Sequence, residues 1–162
     1  MDTSKKGKYL GFLEELMAYT KTTKADIARG LGTSWQNVQL KFTSGDMKMS
    51  KAEEIAAIMG YNIQFVLDDG AHVISEGTVQ KNVGGLLLQI NDLMPQSKRL
   101  DPLQVFLRLH GKNTKQVAED IGITPGSLSK YFRDDDMHIS RLFWIAEAYG
   151  WKVQIKIDKK KE

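Results

Sequence analysis

Residues 26–38 read DIARGLGTSWQNV, and residues 116–128 read QVAEDIGITPGSL. In each stretch two apolar residues flank an alanine at helical spacing, a glycine follows, and a hydroxyl residue then opens a second run. Thr23 and Asn113 are N-caps for the first run, which carries Ile27, Ala28 and Leu31 in one case and Val117, Ala118 and Ile121 in the other. Gly32 and Gly122 stop that helix, because glycine takes positive φ without steric penalty. Ser34 and Thr124 cap the next helix, with Val38 and Phe42, or Leu128, Tyr131 and Phe132, on its apolar side. Each stretch is therefore two short helices meeting at a tight turn.

The two stretches belong to an ungapped internal repeat at an offset of 90 residues, Lys24 to Asp68 lying on Thr114 to Asp158. Identical pairs include Ala28/Ala118, Gly32/Gly122, Phe42/Phe132, Asp46/Asp136, Met47/Met137, Ile55/Ile145, Gly60/Gly150 and Gln64/Gln154. After a polar hinge, Ser50 and Ser140 are placed to cap a further helix, Glu53 completing a capping box in the first copy. Beyond Gly60 and Gly150 the pattern alternates, with Ile63, Phe65 and Leu67 on one face of a strand over 62–67, and Val153, Ile155 and Ile157 on one face of a strand over 152–157. An additional helix precedes each copy, carrying Leu10, Leu13, Leu16 and Met17, or starting at Asp101 as N-cap and Pro102 as first helical residue.

The expected fold is mainly α: a first unit over 1–69, a connector over 70–99 and a second unit over 100–162, each unit being four helices and a closing strand. The connector loses the repeat; Gly70, Gly77, Gly84 and Gly85 mark loop, and Leu86 to Met94 read as one amphipathic helix before Pro95. The closing strands need partners for their backbone groups, which predicts antiparallel pairing with each other in a small sheet, so that one chain imitates a dimer. The competing arrangement pairs the strands between chains and gives a homodimer.

Composition narrows the function classes. Lys and Arg number 23 against 20 Asp and Glu, so any polyanion-binding claim must rest on where the charges sit. With no cysteine there is no disulfide, thiolate zinc site or thiol nucleophile, in keeping with a reducing cytosol. The sequence has no apolar run of signal-peptide or membrane-span length, so the expectation is a cytoplasmic protein without membrane association. His72, His110 and His138 lack metal-ligand spacing, and no Ser-His-Asp order, phosphate loop or dinucleotide fingerprint is present. Neither an enzyme nor a cofactor is expected.

The two quoted runs resemble the phage-repressor and Cro-type helix-turn-helix family, twice and in register, through the order alanine, apolar residue, glycine, capping Ser or Thr, and an apolar residue four later. The closing strand is similar to that of Cro and of helix-turn-helix antitoxins. The resemblance implies a double-stranded DNA-binding transcriptional regulator, a repressor by type, whose second helix enters the major groove. The implied base readers of the first copy are Trp35, Gln36, Asn37 and Gln39 behind Ser34; Gln and Asn pair bidentately with adenine. The second copy offers Ser127, Ser129 and Lys130 behind Thr124. Lys24 and Thr114 stand in the first turn of the preceding helix, where the family holds a phosphate, and Arg133 adds a second cation. Leu40 stands where a polar reader is usual and Lys41 where a core residue is usual, while Asp134 to Asp136 would repel a phosphate backbone. The rival reading is an antitoxin or anti-defence protein whose repeats contact a toxin or defence protein; Phe143, Trp144, Tyr149, Trp151 and Lys152 are its candidate surface, although the spacing of Phe143 and Trp144 about Ile145 favours core, and Trp35 is either a reader or packed on a neighbouring unit.

Overall fold

The computed structural model describes residues 9–75, 78–89 and 98–160. Four helices, α1 (Gly11–Thr20), α2 (Lys24–Leu31), α3 (Trp35–Ser44) and α4 (Met49–Ile58), lead into β1 (Tyr61–Asp68). Strands β2 (His72–Ser75), β3 (Thr78–Val83) and β4 (Leu86–Gln89) follow, then α5 (Asp101–Leu109), α6 (Thr114–Ile121), α7 (Pro125–Asp134), α8 (Ile139–Ala148) and β5 (Lys152–Lys159). The fold is mainly α with a small sheet, and the helices of the two series begin 90 residues apart, α1 with α5 through α4 with α8. The chain forms two compact units. The first takes the residues up to Ile63 together with Met137–Ser140 and the chain from Ile157, and the second takes Gln64–Asp136 and Arg141–Lys156.

Local chemistry sets the helix ends. Thr23 accepts from Asp26 N at 3.1 Å while the Asp26 carboxylate accepts from Thr23 N at 2.9 Å, a full capping box at the start of α2. Asn113 does half of that for α6, accepting from Gln116 N at 2.8 Å. Gly32 and Gly122 adopt φ 68° and 78°, turning the chain so that Thr33 N and Ile123 N return to Ala28 O and Ala118 O at 3.0 and 2.9 Å. Ser34 and Thr124 then cap α3 and α7, each accepting at 3.1 Å from the amide three residues on.

The third cap differs from the sequence expectation. Helices α4 and α8 begin at Met49 and Ile139, so Ser50 and Ser140 lie inside them; Lys48, not Ser50, holds the N-cap position of α4, without a side-chain cap bond, so Ser50 is not the cap from which Glu53 was expected to complete a box. An acceptor from the other repeat substitutes at α8: the Asp46 carboxylate takes Ser140 N at 3.0 Å and Ser140 Oγ at 2.5 Å. Beside it, Met49 N donates to Met137 O at 2.8 Å and Ile139 N to Met47 O at 2.9 Å, bracketing an antiparallel bridge between Lys48 and His138. Lys48 and His138 are equivalent positions of the repeat, so this exchange defines a local two-fold axis in the first unit. At α5 the expected start is displaced by one residue, Leu100 standing at the N-cap.

The connector also corrects the sequence reading. Leu86–Gln89, expected as the start of a helix, is strand β4, and the remainder of that predicted helix lies outside the described residues. The physical reason is the turn before it: Gly84 and Gly85 both take positive φ, 58° and 89°, which is the hairpin geometry that matches strand twist. Val83 thereby pairs with Leu86, and Ser75 pairs with Thr78 in the hairpin before it. The sheet is five-stranded in the order β4-β3-β2-β1-β5 rather than two-stranded. Within it β5 neighbours β1, and Lys160 N donates to Gly60 O at 2.8 Å, bringing the end of one closing strand beside the start of the other.

Each unit has its own apolar core. In the first, Leu10, Leu13, Ile27, Ala28, Val38, Met49, Ile55 and Ala56 are buried; in the second, Leu103, Phe106, Val117, Ala118, Leu128, Ile145 and Trp151 are. Fully burying one such Leu, Ile or Phe contributes about 1.5–3 kcal/mol. The repeat exchanges bulk across one contact. A Cβ on Gly30 would lie 2.7 Å from Ile58 Cδ1, whereas the equivalent positions are Asp120 and Ala148, a larger residue facing a smaller one. Among the described residues no helix is long and apolar enough to cross a membrane.

Candidate nucleic-acid interface

The turn at Gly32 presents the first half of α3 outward. Trp35, Gln36, Asn37 and Leu40 are exposed, Leu40 at 68% and Trp35 at 49%, while Val38 and Phe42 on the other side are buried. Ser34 is occupied as the cap. Asn37 Nδ2 donates to Thr33 Oγ1 at 2.8 Å, which steadies its carboxamide, and Gln36 has no side-chain bond among the described residues. Gln39 is half-buried rather than a free reader. Its Oε1 accepts from Lys24 Nζ at 2.8 Å, and its amide nitrogen is 3.4 Å from Thr43 Oγ1. Lys24 also lies 5.5 Å from the Phe42 ring centroid, so two residues read separately in the sequence act as one arrangement. The Lys24 ammonium has further donors beyond the one given to Gln39.

In the second series α7 presents Pro125, Gly126, Ser127, Ser129, Lys130 and Arg133, all exposed. Ser127 Oγ lies 2.8 Å from Thr124 Oγ1, so both hydroxyls belong to the cap. Arg133 sits in the last turn of α7, and Thr114 is the half-buried first residue of α6. The acidic run is less repulsive than its sequence suggests. Asp135 adopts φ 54° at the end of α7, and its carboxylate accepts from Arg99 N and Leu100 N at 3.0 and 2.8 Å, while its carbonyl accepts from Arg99 NH1 at 2.6 Å. Asp136 is half-buried, leaving Asp134 as the exposed acid of the three.

Beside the exposed face of α3, an open groove of about 370 Å³ is lined by Leu40, Lys41, Ser44, Lys48, Lys51 and His138, among others. Lys51 is shared with Glu54 at 3.3 Å. Sequence reasoning singled out Lys41 only as a departure and missed Lys48 and Lys51. Their spacing from α3 is a tertiary fact, although three lysines within 41–51 were a visible signal. Lys41, Lys48 and Lys51 place positive charge along this side of the first unit.

The histidines have no ligand spacing in the sequence, yet two converge in the second unit. His110 Nε2 lies 2.8 Å and His72 Nδ1 3.4 Å from Asp69 Oδ2. Burial works to raise the Asp69 carboxyl, but the amides of His72 and Ala71 and the two rings outweigh it and hold it below the ordinary carboxylate value. Among the described residues no group of histidines and acids is arranged to hold a metal ion. Of the aromatic residues weighed as partner contacts, Trp151 is core, 4.9 Å from Phe106 and 5.0 Å from Tyr149 between ring centroids. Trp144 is 49% exposed and lies under the Arg141 guanidinium at 4.7 Å. No family model, curated protein or solved structure matches this chain.

Proposed function

We propose that the chain is a sequence-specific double-stranded DNA-binding regulator, a repressor of the phage-repressor and Cro type, in which α2–α3 and α6–α7 are helix-turn-helix pairs working as a pseudo-dimer. The observation that carries the reading is the exposed start of α3, where Gln36 and Asn37 project from a capped helix beside a groove bearing Lys41, Lys48 and Lys51. Amide side chains on such a helix read adenine, and the lysines hold phosphates without regard to sequence. The pseudo-dimer is supported by the local two-fold bridge of Lys48 with His138 and by the adjacency of β1 and β5. A pseudo-dimer of this type places its two recognition helices in successive major grooves, about 34 Å apart. The unlike residues of α3 and α7 then imply an imperfect palindrome, with α3 the stronger reader.

A protein-partner reading, toxin or defence protein, is favoured by one observation, the exposure of Trp35 and Leu40 on α3 itself. Fluorescence anisotropy with duplex DNA separates the two. The DNA reading expects binding at low salt that weakens linearly on a log–log salt plot, with a slope reduced by about 1 for each lysine of Lys41, Lys48 and Lys51 that contacts a phosphate. Absence of binding to any duplex at low salt would leave the partner reading.

A further inference from the structure

Comparing equivalent positions of the repeat picks out one pocket of the second unit. In the first unit the Lys24 ammonium donates to Gln39 and lies over the Phe42 ring. Ninety residues on stand Thr114, Ser129 and Phe132, so two long polar side chains are replaced by two short hydroxyls. An open pocket of about 400 Å³ lies there. It is lined by two cations, Arg108 and Lys112, where the first series has Ala18 and Thr22. Arg108 has no ion pair among the described residues, and the Lys112 ammonium lies 5.0 Å from the Tyr149 ring centroid. The lining includes no acidic side chain, and Leu107 and Phe132 supply an apolar wall.

We propose that this pocket binds a small organic phosphomonoester, the phosphate held by Arg108, Lys112 and the hydroxyls of Thr114 and Ser129, the organic group against Leu107 and Phe132. A phosphomonoester carries between one and two negative charges and three acceptor oxygens, which matches a guanidinium fork, an ammonium and two hydroxyls better than a single-charged carboxylate does. The volume is at the lower end of the range for small-molecule sites, roughly 300–1,000 Å³, and suits a ligand of one ring. The first unit lacks both cations and keeps Lys24 where the pocket opens in the second, so the second series alone is equipped for such a ligand. The pocket shares Thr114 and Ser129 with the proposed DNA-binding face, and a duplex phosphate is a different source of the same chemistry.

The test follows the backbone amides of Thr114 and Ser129 by NMR in the full chain, titrated separately with phenyl phosphate, inorganic phosphate and a generic DNA duplex. Phenyl phosphate is expected to shift both amides saturably, with inorganic phosphate weaker because it leaves the apolar wall uncovered. Arg108→Ala is expected to weaken phenyl phosphate roughly tenfold, the effect of one lost charge-assisted hydrogen bond. The double variant Thr114→Lys with Ser129→Gln installs the pair already accommodated in the first unit and is expected to abolish binding while the thermal transition persists. Three results would overturn the proposal: no saturable shift with phenyl phosphate, shifts with the duplex alone, or wild-type affinity in the double variant. Should the double variant fail to fold, Arg108→Ala decides, and unchanged affinity in it overturns the proposal too.

Discussion

Removing the Asp46 carboxylate isolates the side-chain part of the contact between the two repeats. Its oxygens accept from Met47 N at 2.9 Å, Ser140 N at 3.0 Å and Ser140 Oγ at 2.5 Å, the last two 94 residues away in the chain. Losing a side-chain acceptor at a helix N-terminus costs about 1 kcal/mol. A hydrogen bond to a charged acceptor contributes about 1.5–3 kcal/mol, but Asp46 is half-exposed and water replaces part of what is lost. Asp46→Ala should therefore destabilise by about 2–3 kcal/mol in urea unfolding. Asp46→Asn keeps one acceptor oxygen and should cost about half as much. Because the Ser140 hydroxyl bonds to the same carboxylate, Asp46→Ala and Ser140→Ala should couple by about 1 kcal/mol in a double-mutant cycle. A loss below about 0.5 kcal/mol for Asp46→Ala, or additive single variants, would refute the inter-repeat cap.

Other outcomes follow from particular contacts. Gly30→Ala gains about 1 kcal/mol of helix propensity but places a methyl against the stiff Ile58, so it should destabilise the wild type and stabilise an Ile58→Ala background; the same sign in both, by thermal denaturation, would contradict the packing. The Asp69 carboxyl is held below its ordinary 3.8, so its contribution to stability is complete above that pH and is lost as pH falls through the lower folded value. Urea unfolding from about pH 5 to pH 2 should therefore show a steeper acid loss for the wild type than for Asp69→Asn, and parallel curves would exclude the carboxylate as the cause. On a selected duplex, Gln36→Ala should lose about 1–3 kcal/mol at one base pair, whereas Lys48→Ala should weaken all duplexes alike; anisotropy with matched and mismatched sites distinguishes them.

What was legible in the sequence was chemistry that acts over a few residues. Thr23, Asn113, Ser34 and Thr124 cap their own helices, and Gly32 and Gly122 turn the chain where they stand, so the helix pairs could be read in register. The start of α8 could not, because its acceptor, Asp46, comes from the other repeat and a serine at the second helical position looks like a cap in one dimension. The Gly84-Gly85 turn between Val83 and Leu86 was a hairpin signal, but the following leucines satisfy helical and strand patterns equally. At the candidate interface the outward residues Trp35, Gln36 and Asn37 were predictable from helical phase. The Lys24–Gln39 bond, the withdrawal of Asp135 onto Arg99 and the grouping of Lys48 with Lys51 and His138 depend on how helices pack, which residue spacing does not encode.

The proposed function requires sequence-specific recognition of duplex DNA by α3 and α7 in one chain. Its most direct test is selection from a random duplex pool with the full chain at low salt, followed by sequencing of the bound fraction. Expected is enrichment of an imperfect palindrome with half-site centres about 10 base pairs apart, adenine-containing in the half read by Gln36 and Asn37, and loss of that half's enrichment in Gln36→Ala. A bound fraction with no enriched sequence, or one unchanged by Gln36→Ala and Asn37→Ala together, would contradict it.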